Sequence, residues 1–226
     1  MTFFAQFCYP FIIGAIILFT VVAIKYISWF HNLPKSDKML IAKGLFTIRT
    51  ITATWEVVCE SLLHRRIFRV NPVLGYMHMS LAFGWFLLIA VGWIETIAYL
   101  GFQWVPLHGH VFFKYFVPLN GINEHKPIFD FVMDGLLLFV LSGVALAWIK
   151  RMRSRAMGMK RTTKHILFDR IALSALWFIF PLRLTAESIT AGIYGGGSFL
   201  TGGIGTLLSS VIPSDTLMLA YEPVWW

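Results

Sequence analysis

The sequence predicts an all-α integral membrane protein with four transmembrane helices and one amphipathic helix on the cytoplasmic side. Three observations carry this. The 226 residues are 58% hydrophobic and only 13% charged, and the mean hydropathy is +0.72, far outside the range of a soluble domain. Apolar runs long enough to cross a hydrocarbon core, which takes about 20 residues, occur at about 10–30, 73–100, 127–149 and 165–193. The basic residues gather in two of the connections between those runs, as they do where multi-pass proteins fix their orientation.

The first run carries Lys25 near its end, where a long side chain can snorkel to the interface. No basic start or small-residue cleavage site precedes it, so it is expected to be a retained span rather than a signal peptide. Residues 36–69 are not a span. Ile41, Leu45, Ile48, Ile51, Trp55, Val58 and Leu62 recur at three- and four-residue steps, with Lys38, Lys43, Arg49, Glu56 and Glu60 at other positions. That pattern is an amphipathic helix, capped by Ser36 or Asp37. Its apolar face can lie on the membrane surface, dock a partner, or pack on the protein's own spans. The second run opens after Asn71-Pro72, the third at Pro127, and the fourth near His165, ending before Gly195-Gly196-Gly197. The tail, 194–226, contains Gly202-Gly203, Gly205 and Pro213 and finishes Glu222-Pro223-Val224-Trp225-Trp226. An aromatic pair after a proline suits the interfacial belt, so the chain reads as one that stops short of a fifth span.

The net charge of +8 is not a nucleic-acid footprint, because its sources are confined. The first connection holds Lys35, Lys38, Lys43, Arg49, Arg65, Arg66 and Arg69, and the third holds Lys150, Arg151, Arg153, Arg155, Lys160, Arg161 and Lys164. The second connection has only Lys114 and Lys126, and no Lys or Arg follows Gly192. By the positive-inside rule the first and third connections face the cytoplasm. Both ends of the chain then lie outside a plasma (inner) membrane. Cys8 and Cys59 form no CxxC pattern, so the chain by itself holds no iron–sulfur cluster, which needs about four thiolates.

His78 stands alone in the second run, in Gly75-Tyr-Met-His78, and an imidazole at membrane depth needs a partner. Gly75 and Ala82 share its helix face. Small residues there leave room for a flat group such as a porphyrin, or they let a second helix approach for a hydrogen bond. His64, among arginines, reads as a surface residue. His165, at the start of the fourth run, is the in-chain candidate to partner His78, although it lies at a different depth. His108, His110 and His125 are ordinary loop histidines or, alternatively, a metal site. Asp134 and Arg183 each lie about seven residues, roughly 10 Å of helix rise, from the outer ends of their spans. Opposite charges at equal depth should pair, and Glu187 is one turn from Arg183. Glu95, close to the outer interface, reads as solvated.

The run Glu60-Ser-Leu-Leu-His64-Arg65-Arg66-Ile-Phe-Arg69, followed by Gly75-Tyr-Met-His78, resembles the membrane cytochrome b subunits of the respiratory nitrate reductase gamma family. It also resembles the membrane domain of heterodisulfide-reductase-like iron–sulfur oxidoreductases. Asp134-Gly-Leu-Leu-Leu, the basic connection after Ile149, Phe168-Asp169-Arg170 and Leu182-Arg183-Leu-Thr-Ala-Glu187-Ser extend the match. It covers most of the chain from about residue 56. The resemblance implies haem b held between histidines of the second and fifth spans, with His78 as the ligand nearest the cytoplasm. It further implies a quinone as substrate and a cytoplasmic iron–sulfur partner, either a separate subunit or a further C-terminal domain. Asp134, Arg183 and Glu187 would then serve as a quinone or proton site, or simply lock two spans together. Two departures stand out: the family's other second-span ligand would fall near Leu88, and the fifth span is missing. The implied role is an electron relay between quinone and the iron–sulfur partner. The alternative is a haem-free anchor for that partner. A transporter is disfavoured, since no span is broken and no inverted repeat shows.

Overall fold

The computed structural model of the chain describes residues 2–44, 47–100, 126–158 and 167–225, and among them no strand occurs. Helix α1 runs Thr2–Asn32, α2 Lys35–Gly44, α3 Ile48–Val57, α4 Arg65–Val70, α5 Pro72–Leu100, α6 Pro127–Ala156, α7 Leu167–Tyr194, α8 Thr201–Val211 and α9 Ser214–Trp225. Among the described residues, three stretches are long and apolar enough to cross a membrane: Tyr9–Asn32 in α1, Pro72–Tyr99 in α5 and Pro127–Ala156 in α6. The first three expected spans therefore correspond to helices α1, α5 and α6. α6 continues past the expected end at residue 149 because Lys150, Arg151, Arg153 and Arg155 favour the C-terminal end of the helix dipole.

The spanning part of α1 has no buried residue. Ile12, Ile13, Ile16, Ile17 and Leu18, which together go round the helix, are all exposed. A helix apolar on every side requires an apolar solvent. At its end Lys38 Nζ donates to the His31 carbonyl at 2.9 Å and sits 5.6 Å from the centre of the Phe30 ring, which fixes the corner into α2.

The single amphipathic helix expected over 36–69 is instead a series of short pieces. α2 ends at Gly44, whose carbonyl accepts hydrogen bonds from Thr47 Oγ1 at 2.7 Å and Thr50 Oγ1 at 2.8 Å. These hydroxyls satisfy a carbonyl that a continuing helix would have used. After α3 the chain widens into a π-helical turn, Val58–Leu62. His64 then adopts left-handed backbone, φ 51°. Glu60 explains the restart, for its carboxylate accepts from the Arg66 backbone N–H and pairs with the Arg66 side chain. An anion at the first turn of α4 stabilises that helix start.

α5 begins as the sequence predicts. Asn71 Oδ1 accepts the Leu74 N–H at 3.0 Å, and Pro72 supplies the fixed φ of a first helical residue. α5 and α6 pack antiparallel: Tyr76 Oη bonds Ser142 Oγ at 2.7 Å, and at the other end the Lys126 N–H donates to Tyr99 Oη at 2.7 Å. Between these contacts the helices meet at small residues. A side chain at Gly143 would overlap Ser80 Oγ, and one at Gly84 would come within 2.6 Å of Val140. Leu88, Met133, Leu137, Val140, Val144 and Phe180 form the core between α5, α6 and α7.

The segment expected to be an outer tail folds back as helices α8 and α9 against α7. Gly192 and Gly205 allow α7 and α8 to approach until a Cβ on Gly192 would lie 2.8 Å from the Gly205 carbonyl oxygen. Leu217 and Tyr221 of α9 pack on Ile189. Covered from several directions, residues 186–190 of α7 are all buried.

Candidate functional site

His78 lies on α5, partly buried, and its nearest ring neighbour is a second histidine. Its ring centroid is 5.3 Å from that of His64, with 44° between the planes. His64, read from sequence as a surface residue, is turned inward by its left-handed backbone at the start of α4. Its Nδ1 is buried and has no hydrogen-bond partner. Such an atom is costly, about 1–3 kcal/mol for an orphaned polar group. Non-glycine residues in the left-handed region and π turns both concentrate where structure serves a function.

The small residue beside His78 has a different role from the one expected. A Cβ on Gly75 would lie 2.6 Å from Phe68 Cγ and 2.7 Å from Phe68 Cα, so Gly75 serves the packing of α4 on α5 and holds no cofactor space. Ala82, on the next turn beyond His78, is only partly buried. α4 and α5 thus touch at Phe68 and Gly75, with His64 and His78 each about one turn farther from the corner at Asn71-Pro72. Leu88, where a second family ligand would fall, is 2% exposed and belongs to the core.

Whether these residues suit a haem can be judged from donor type and number. Two imidazoles on opposite sides of one iron, with bonds of about 2 Å, have ring centroids about 6.4 Å apart. The observed 5.3 Å falls short of that separation. Among the described residues no group of three or more His, Cys, Asp or Glu side chains could hold a metal ion. A bare ion would lack protein ligands here, whereas a porphyrin brings four nitrogens of its own and needs only axial donors. The number of donors suits haem iron, but the spacing of the rings and Phe68 against Gly75 do not fit a porphyrin between them.

The second set of candidates divides into two separate arrangements. The expected Asp134–Arg183 pair is not formed. Asp134 is 2% exposed, and its Oδ2 accepts the backbone N–H groups of Ser198, Leu200 and Thr201 at 3.1, 2.9 and 3.0 Å. Its Oδ1 accepts Thr201 Oγ1 at 2.7 Å. The carboxylate therefore caps the N-terminus of α8, where charge-assisted bonds and the helix dipole both favour an anion. The turn that brings those N–H groups together requires φ of 79°, 87° and 72° at Gly195, Gly196 and Gly197, conformations that only glycine adopts freely. Arg183 takes its partner from its own helix, with Nε 2.8 Å from Glu187 Oε1. The two were expected to pair by depth alone, but depth ignores the loop that folds back between them and supplies its own donors.

Glu95, read from sequence as solvated, is 1% exposed, and Asp130, one turn before Asp134, is 4% exposed. Neither carried a sequence signal beyond its charge in an apolar run. Trp225, expected at a membrane entry, instead donates its indole N–H to Thr190 Oγ1 at 3.0 Å. His165, His108, His110 and His125 lie outside the described residues. Compared with family models, with characterised proteins and with solved structures, the chain has no match.

Proposed function

We propose that this chain is a cytochrome-b-like membrane subunit or domain that relays electrons between a membrane quinone and an iron–sulfur protein on the cytoplasmic side. One observation carries the reading. His78 sits in a helix long and apolar enough to span a bilayer, and its ring lies 5.3 Å from a second imidazole. A metal-ligating side chain at membrane depth is a functional position by default.

In this reading α7 is the fourth span, and the partly buried Arg183 keeps the buried Glu187 carboxylate compensated. The basic ends of the spans face the cytoplasm, and both ends of this chain face outside. When bound, haem b supplies a one-electron carrier; the protein supplies ligand, orientation and dielectric. Quinol gives up two protons with its two electrons, so a site beside it needs a base. Glu187 is the better candidate for that base than Asp134, because both oxygens of Asp134 are already engaged by four donors. Arg183, oriented by Glu187, would hydrogen-bond a quinone carbonyl. The iron–sulfur partner docks on the cytoplasmic face, either as a separate subunit or as a further domain.

A visible spectrum of the purified protein tests this. Dithionite-reduced protein should show b-type bands, and His78→Ala should abolish them without removing the protein from the membrane. A variant that keeps its full haem content refutes the assignment. A second reading, a haem-free anchor for the iron–sulfur partner, is favoured by Phe68 filling the notch at Gly75. It predicts wild-type protein without haem bands.

A further inference from the structure

We propose that α3 is a membrane-surface helix. It lies in the cytoplasmic headgroup layer, with its apolar stripe on acyl chains and the basic residues around it on anionic lipid. This role needs neither haem nor electron transfer.

The helix is too short to stand alone in water. α3 is ten residues long, Ile48–Val57, and every one of them is exposed. Isolated helices shorter than about 12–15 residues are marginal in water, so α3 requires a cover. Ile48, Ile51 and Trp55, at steps of three and four, make one exposed apolar stripe. The rest of the helix offers little to a directional partner. Thr52 Oγ1 donates to the Arg49 carbonyl at 2.9 Å, Thr54 Oγ1 to the Thr50 carbonyl at 2.8 Å, and Thr50 Oγ1 to the Gly44 carbonyl at 2.8 Å. With these hydroxyls engaged on nearby backbone, the helix presents methyl groups outward. A protein interface carries about one hydrogen bond per 100–200 Å², whereas acyl chains ask for none.

Both flanks hold α3 at the level of the membrane surface. Upstream, α1 ends with Tyr26, Trp29 and Phe30 exposed, the composition of an interfacial aromatic belt. Lys38 bonds the His31 carbonyl and so ties α2 to that level. Downstream, the π turn Val58–Leu62 packs on α5, and His64 stands beside His78, roughly 9 Å of helix rise inside the start of α5. A segment tied at both ends to one membrane face, and apolar along one side, has the bilayer as its nearest cover. The charge agrees. Of the acids between residues 35 and 70, Glu56 and Glu60 are engaged with Arg66, which leaves Asp37. Lys35, Lys43, Arg49, Arg65 and Arg69 are all exposed. A basic excess beside a span is drawn to anionic headgroups.

The test uses the full chain with Cys8 and Cys59 replaced by serine, carrying a nitroxide at Ile51→Cys or at Ala53→Cys on the opposite side of α3. In vesicles of phosphatidylcholine with phosphatidylglycerol, the label at 51 should collide with lipid-dissolved oxygen and be shielded from an aqueous nickel chelate. Its depth should be about 5–10 Å below the headgroup surface. The label at 53 should show the reverse. In phosphatidylcholine alone, or after Lys43→Gln with Arg49→Gln, the label at 51 should move toward the chelate. Equal exposure of both labels to the chelate in the anionic vesicles overturns the proposal. A depth indifferent to phosphatidylglycerol overturns the role of the basic residues. A benzophenone at Ile51→Cys, photolysed in native membranes, separates the occupants. Adducts on lipid are expected, and adducts on another protein chain overturn the lipid role and give this face to a partner. Reduced spectra of the same samples keep the two readings apart, since missing haem bands remove the electron relay and leave the surface helix standing.

Discussion

Replacing Asp134 by alanine should release α8 from the bundle, and the structure sets the size of the effect. Four donors converge on this carboxylate: the N–H groups of Ser198, Leu200 and Thr201, and the Thr201 hydroxyl. Thr201 is only 3% exposed, so its donors cannot turn to water when the acceptor goes. Each orphaned buried donor costs about 1–3 kcal/mol, and such costs do not add in full. Relaxation of the glycine turn will recover part of the cost, leaving about 3 kcal/mol, close to a hundredfold change in an opening equilibrium. Hydrogen exchange in Thr201–Val211 reads that opening directly. Exchange there should quicken about a hundredfold in Asp134→Ala and less in Asp134→Asn, which retains one acceptor oxygen. Asp215→Ala, an exposed residue at the start of α9, should leave it unchanged. Exchange in Asp134→Ala within about threefold of wild type, against an expected hundredfold, would refute the capping role and with it the account of the three consecutive glycines.

Other outcomes follow from the same geometry. Gly75→Ala puts a methyl group 2.7 Å from the Phe68 backbone, so α4 must move at a cost of about 1–3 kcal/mol, seen as faster trypsin cleavage after Arg65, Arg66 or Arg69. Arg183→Leu strands Glu187, whose side chain is 6% exposed, and should lower thermal stability in detergent by about 3–5 kcal/mol. Changing both to leucine should recover much of that loss, and a double mutant no more stable than the single would contradict pairing as the role. Ser154→Cys should react with a membrane-impermeant reagent only after the cells are opened, and labelling of intact cells would overturn the orientation.

The helices long and apolar enough to cross a membrane were legible because their signal is long and redundant: some twenty apolar residues, with lysines and arginines clustered in the connections. Asn71-Pro72 and Pro127 marked two starts within a residue or so, since capping and proline chemistry act locally. The first connection was less legible. Its three- and four-residue periodicity is real, yet the breaks come from Thr47, Thr50 and Glu60 bonding to backbone groups, and periodicity does not register those competitors. The fold-back of residues 195–225 was hidden for a similar reason. Glycines at 195–197 announce a turn, but not that the N–H groups just after it converge on Asp134, 64 positions before the first of those groups.

His64 is the sharpest case. Its neighbours Glu60, Arg65 and Arg66 are charged, and local composition therefore assigned it to solvent. A single backbone torsion reverses that: with φ at 51° the imidazole points toward α5 while the flanking arginines stay exposed. The same torsion costs about 1 kcal/mol or more in a residue with a Cβ, and the orphaned Nδ1 adds to it. Glu60 holds α4 in place through Arg66, but that contact works equally well for any residue at position 64. A histidine there, instead of the glycine or asparagine that would relieve the strain, puts an imidazole beside His78, with ring centroids 5.3 Å apart. A glycine at 64 should therefore raise thermal stability in detergent by about 1 kcal/mol or more. A glycine variant no more stable than wild type would show that the left-handed torsion carries no strain.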